Sequence, residues 1–186
     1  MRILGISGSL RRESWNSKLL RTAGELLPHF VEFEVWDELK AVPPFDEDDE
    51  HGPAPAAVAS LREAVARADA IVFATPEYNA SIPGQLKNAI DWLSRPTAST
   101  PLRNKPVVVV GASLSAFGAV WSQAELRKVL ATAGARVVDA EVAVGHAPAK
   151  FDESGVLVDE DLRDQLGEAL DVVIAETPAR RVALAV

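Results

Sequence analysis

Ala70-Ile71-Val72-Phe73-Ala74-Thr75 and Val107-Val108-Val109-Val110-Gly111 are apolar, largely β-branched runs without polar alternation. That pattern is expected of strands in a parallel sheet with helices on both faces, because every side chain then enters a core. Similar short runs alternate along the chain with longer segments of helical period. Strands are predicted over residues 3–7, 31–36, 70–75, 107–111 and 137–144, and helices over 17–27, 58–68, 85–93, 123–133 and 161–176. Five strand–helix units joined by right-handed crossovers imply an α/β fold, an open three-layer sandwich around a five-stranded parallel sheet.

The 186 residues suffice for one sizeable core. A single domain over 1–177 is expected, followed by a C-terminal tail over 178–186 after the helix stop at Pro178. With 19 Lys and Arg against 27 Asp and Glu the net charge is −8, which argues against binding nucleic acid or anionic lipid through bulk charge. The chain has no cysteine, so disulfides, thiolate metal sites and cysteine nucleophiles are excluded. The first apolar run is too short for a signal peptide, and the longest uncharged stretch, 106–124, is interrupted by Gly111, Ser113, Ser115, Gly118, Ser122 and Gln123. A cytoplasmic location without membrane insertion is expected. The acidic run Asp46-Glu47-Asp48-Asp49-Glu50 sits in an insert over 38–55 and reads as a solvated loop, since adjacent carboxylates define no single coordination geometry; no metal site is expected.

Ligands of open α/β sheets bind beyond the carboxyl ends of the strands, so the loops after the first, third and fourth strands deserve inspection. The first, Gly8-Ser9-Leu10-Arg11-Arg12-Glu13-Ser14-Trp15-Asn16-Ser17, offers hydroxyls, an amide, two arginines and a helix start, a set suited to phosphate. Ordinary N-capping by Ser14 or Asn16 would need only one of them. The loop is neither a dinucleotide Gly-x-Gly-x-x-Gly motif nor a Walker A motif. The second, Thr75-Pro76-Glu77-Tyr78-Asn79-Ala80-Ser81-Ile82-Pro83-Gly84, is stiffened by two prolines and carries one aromatic ring. The third, residues 111–121, is rich in small residues that let backbone approach a ligand.

Taken together, Gly8-Ser9-Leu10-Arg11 with Ser14, Asn16 and Ser17, then Pro76-Glu77-Tyr78-Asn79 with Pro83 and Lys87-Asn88-Ala89-Ile90-Asp91-Trp92-Leu93-Ser94-Arg95, and the Gly111-Ala112-Ser113 turn resemble the NADPH-dependent FMN reductase family. This is the flavodoxin-like group that includes quinone, azo-dye and chromate reductases. The resemblance implies one FMN per subunit, with Ser9, Arg11, Ser14, Trp15, Asn16 and Ser17 around its phosphate. It also implies Pro76, Glu77, Tyr78 and Asn79 beside the isoalloxazine, with Ser113 and Gly118 closing the other side. The implied activity is that of an oxidoreductase, passing hydride or electrons from NADPH or NADH through FMN to a small-molecule acceptor: a quinone, an azo compound, a free flavin or chromate. Flavin then carries the chemistry, so no catalytic side chain is named. Trp121 stands in a segment where some relatives have arginine, which leaves the contact to a 2′-phosphate open among Arg11, Arg12, Arg95 and Arg103. Relatives form homodimers or homotetramers; Trp92, Leu93 and Trp121 could supply interface, and core packing explains them equally well.

Two rivals share the fold: an FMN-binding electron carrier, which the acidic balance would suit, and a flavin-free scaffold. The Pro-Glu-Tyr-Asn segment and its following helix favour the reductase. Hydrolase readings are weaker, because Gly5-Ile6-Ser7-Gly8-Ser9 and Gly111-Ala112-Ser113-Leu114-Ser115 lack the last glycine of a nucleophile elbow. His29, His51 and His146 lie in no triad context and read as surface residues.

Overall fold

The computed structural model describes residues 1–177; the proposed tail over 178–186 lies outside the described residues. In chain order come β1 (Arg2–Ser7), α1 (Trp15–Leu26), β2 (Glu32–Trp36), α2 (Ala56–Arg67), β3 (Ala70–Thr75), α3 (Gly84–Leu93), β4 (Pro106–Ala112), α4 (Val120–Thr132), β5 (Arg136–Val144) and α5 (Glu160–Ala175). The strands form one parallel sheet in the order β2-β1-β3-β4-β5. The chain therefore winds one way from β1 to β2 and the other way from β3 onward. The loops after β1 and β3 diverge at this reversal and open a crevice.

The unalternating strands feed two cores. Ile71, Phe73, Val107 and Val109 pack with α2, α3 and α4, while Ala70, Val72, Ala74, Val108 and Val110 pack with α1 and α5. Each fully buried Val, Ile or Phe contributes about 1.5–3 kcal/mol by leaving water. The edge strands are partly open to solvent instead: β2 exposes Glu32, Glu34 and Val35, and β5 exposes Arg136, Asp139 and Glu141. Such edge charges discourage pairing with another sheet.

Two expectations change. The insert over 38–55 is solvated only in part: Leu39 and Val42 are buried, and the Pro43 carbonyl accepts from Asn88 Nδ2 at 2.8 Å and Trp92 Nε1 at 2.9 Å. Phe45 adds an edge-on ring contact to Trp92, with centroids 5.0 Å apart. Asp46–Glu50 is the stretch left to solvent or to Arg95, which pairs with Glu47 and Glu50. The same cover leaves Trp92 and Leu93 each 1% exposed, so both are core and unavailable to a partner subunit. Trp121 is 48% exposed. His29, His51 and His146 are all exposed. Among the described residues no helix is long and apolar enough to cross a membrane.

Candidate functional site

At the crevice, the β1–α1 loop continues the sheet for one residue, with Gly8 N–H donating to the Ala74 carbonyl at 2.8 Å. It then turns on its own hydroxyls. Ser9 N–H donates to Ser7 Oγ, Arg11 N–H donates to Ser9 Oγ, and Ser14 Oγ caps α1 by accepting from Ser17 N–H at 3.3 Å. The cap draws the helix start back to Trp15, two residues earlier than the apolar period indicates. The Trp15 and Asn16 N–H groups in the first turn have no protein acceptor, as geometry requires of a helix start.

Loop two is fixed from α4. The buried hydroxyls of Thr75 and Ser122 lie 2.9 Å apart, and each lies 2.8 Å from the Pro76 carbonyl oxygen. Ala119, the residue before α4, supplies no capping side chain; instead Glu77 Oε2 accepts from the N–H groups of Trp121 at 3.1 Å and Ser122 at 3.2 Å. This carboxylate satisfies orphan donors and sits at the positive end of the helix. Tyr78 and Ser81 pair as a miniature hairpin around Asn79 and Ala80, both at positive φ. Ser81 and the Ile82 N–H in turn donate to Glu125 on α4.

Loop three is held by the strand beside it. Ser113 N–H donates to the Val144 carbonyl, Ala147 N–H donates to the Ser113 carbonyl, and His146 N–H donates to the Ser115 carbonyl. The hydroxyls of Ser113 and Ser115 lie 2.9 Å apart. Gly118 turns this loop at φ +59°, where an added Cβ would lie 2.3 Å from the Ala143 carbonyl carbon.

The three loops enclose an open cavity of about 290 Å³. Ser9, Arg11, Ser14, Trp15 and Asn16 line one side, Pro76, Glu77 and Tyr78 another, and Ser113 a third. Ala112, Leu114 and Ser115 complete the lining; no side-chain signal marks them, although they fall inside the suspected loop. Three expected residues stand outside it. Ser17 turns its hydroxyl to Ser7 Oγ, Asn79 occupies the exposed tip of the hairpin, and Gly118 packs on the β5 backbone. Asn16 lines the cavity but its amide is engaged in two hydrogen bonds with the backbone of Ala112.

The cavity is therefore chemically divided. One end gathers serine hydroxyls, free helical N–H groups and the Arg11 guanidinium, donors suited to a phosphomonoester. The other is bordered by Pro76, the half-exposed Tyr78 ring and Leu114, suited to a planar apolar body. Its one lining carboxylate, Glu77, already serves α4. Among the described residues no group of His, Asp and Glu could hold a metal ion.

Comparison with known proteins agrees with this architecture. The chain is 40% identical over 174 residues to an NAD(P)H-dependent FMN reductase of Pseudomonas aeruginosa, with 93% of each chain covered. It is 33% identical to a 2-hydroxy-1,4-benzoquinone reductase of a Burkholderia species, over 98% of this chain and 99% of that one. Among solved structures it resembles FerB, a flavoenzyme NAD(P)H:(acceptor) oxidoreductase from Paracoccus denitrificans, with a TM-score of 0.83, 28% identity and coverage of 95% and 99%. The model of the NADPH-dependent FMN reductase family matches residues 1–149, and the chain belongs to that family.

Proposed function

We propose that the chain is an NAD(P)H-dependent quinone reductase with FMN held in the cavity between the three loops. The observation that carries this reading is the cavity's division into a phosphate-type donor end and an apolar, aromatic-bordered end, a match in kind to the two ends of FMN. When bound, FMN supplies the redox chemistry, receiving a hydride equivalent from NADPH or NADH and passing electrons to the acceptor.

The chain's own part is binding and positioning. Ser9, Ser14 and the N–H groups of Trp15 and Asn16 would donate to the phosphate, with Arg11 neutralising it. Asn16 contributes through its main chain and by fixing the Ala112 end of β4. Pro76, Glu77 and Tyr78 on one side and Ser113 on the other would border the ring and keep water from it. No proton-transfer side chain is needed. Ser17, Asn79 and Gly118 support these walls from behind.

Quinones lead as acceptors because relatives 36% identical over 170 residues, including one from Escherichia coli, bear the name quinone reductase. Azo compounds, free flavins and chromate follow as further acceptors. A cytoplasmic setting, where the nicotinamide donor is regenerated, belongs to the same reading. So does a homodimer or homotetramer: Phe117 and Trp121, exposed with rings 4.9 Å apart beside the cavity, are the aromatic pair that a second copy would cover. Light scattering that finds only monomer removes the oligomer.

The test is the visible spectrum of FMN-loaded, desalted protein under anaerobic NADPH or NADH. Bleaching that reverses on adding a benzoquinone is expected. Retained flavin that does not bleach would turn the reading to an electron carrier, and loss of all flavin on desalting would overturn it.

A further inference from the structure

A second groove, of about 520 Å³, opens on the far side of the β1–α1 loop, toward β2. It shares Ser9 and Arg11 with the first cavity, so the two lie back to back on the same loop. Four basic residues line it: Arg11 and Arg12 from the loop, Arg21 from α1, and Lys40 from the chain after β2. Asp37 is the one carboxylate among the lining residues.

These cations are unusual for this chain. Elsewhere basic side chains find oxygen partners: Arg2 pairs with Glu32, Arg67 with Glu63, Arg127 with Glu141 and Lys150 with Asp159. Among the described residues, the side chains of Arg11, Arg12, Arg21 and Lys40 donate to no carboxylate or carbonyl, and Lys128 is the one other cation of that kind. In a chain of net charge −8, unpaired positive charge gathered on one groove focuses the field on an anion there. Arginine forks match phosphate oxygens in particular. Beside them Leu10 and Val35 leave apolar surface exposed, a fit for a nucleoside attached to that phosphate.

We infer that this groove takes the adenosine 2′-phosphate end of NADPH, and that Arg12 and Lys40 make the protein prefer NADPH to NADH, the Arg21 guanidinium lying over Gly155 outside the groove. The inference rests on the reductase reading for the identity of the nucleotide. It also ranks the four arginines that spacing leaves equal. Arg95 is engaged by Glu47 and Glu50, and Arg103 donates to the Thr97 carbonyl at 2.6 Å; neither lies on the groove.

The test is calorimetric titration of FMN-loaded protein with 2′,5′-ADP, 5′-AMP and inorganic phosphate, in the wild type, Arg12→Glu, Lys40→Glu and Lys128→Glu. The wild type should bind 2′,5′-ADP about tenfold or more tightly than 5′-AMP, the effect of one or two charge-assisted hydrogen bonds. Arg12→Glu and Lys40→Glu should each lower 2′,5′-ADP affinity about tenfold while leaving 5′-AMP affinity and the flavin spectrum unchanged. Lys128→Glu should change none of these. In turnover, the first two variants should lose kcat/KM for NADPH through KM and keep it for NADH.

Equal affinity for 2′,5′-ADP and 5′-AMP in the wild type would overturn the inference, and so would inorganic phosphate binding as tightly as 2′,5′-ADP. An equal loss in Lys128→Glu would reduce the effect to net charge and overturn it too. Because the titrations need no turnover, 2′,5′-ADP bound as expected by a protein that oxidises no NADPH would support the groove and overturn the reductase reading alone.

Discussion

Asn16 and Ala112 hold each other by two reciprocal hydrogen bonds, Nδ2 donating to the Ala112 carbonyl and the Ala112 N–H donating to Oδ1, both at 2.9 Å. A side-chain amide on α1 thus stands in for a strand neighbour at the carboxyl end of β4 and ties the first loop to the third. Asn16→Leu would leave two buried backbone groups unsatisfied, at about 1–3 kcal/mol each, and should lower unfolding stability by about 2–6 kcal/mol. Urea denaturation checks this; a loss below about 1 kcal/mol would mean that water replaces the amide.

Ser14 separates folding from ligand binding. Aspartate caps helices as well as serine does, so Ser14→Asp should shift the urea midpoint little. The same carboxylate would face the phosphate of FMN and should weaken its retention about tenfold or more, by loss of a hydrogen bond and like-charge repulsion. Flavin absorbance after desalting reads the outcome. Undiminished retention would move the phosphate away from this loop.

Two glycines should respond in opposite directions. Gly118→Ala places a methyl into the Ala143 backbone at positive φ and should destabilise by about 2 kcal/mol or more. Gly167 lies within α5 with nothing within 4 Å of an added Cβ, and Gly167→Ala should stabilise by about 0.5–1 kcal/mol. Thermal unfolding of the two variants in parallel tests both signs.

Acid should act partly through Asp159, which accepts from Lys150 Nζ at 2.5 Å and from the Leu162 N–H at the start of α5. The lysine bond first, and the helix N–H second, hold its carboxyl below the ordinary 3.8. A carboxyl depressed by folding stabilises fully above its unfolded value and loses that contribution as pH falls through the folded one. The wild-type urea midpoint should therefore fall as pH drops below about 3.8, and Asp159→Asn should fall less. Parallel curves would show that the pair adds nothing to acid sensitivity.

The layers of this fold were legible because Ala70–Thr75 and the valines of β4 have no polar residue to turn outward, a signal local to each strand. The three loops were legible for a similar reason, since polar side chains and prolines crowd where a strand has ended. What each polar group does was not legible. Asn16 meets Ala112 across 96 residues, and Glu77 caps a helix that begins more than forty residues later. Ser17 and Asn79 have the right chemistry but are turned aside by Ser7 and by a hairpin tip. Trp92 could not be assigned from its own helix, because what covers it, Pro43 and Phe45, comes from an acidic insert that reads as solvated.

The cavity's third wall hangs from the end of β5 and the turn after it, through Val144, His146 and Ala147. A chain emerging from the ribosome can therefore display Ser9 to Ser17 and Pro76 to Tyr78 early, yet the pocket is incomplete until Ala147 has cleared the exit tunnel. With FMN held there as proposed, cofactor capture would be a late event of biosynthesis. A truncation that stops before Ala147 should emerge colourless even where its first strands have already paired.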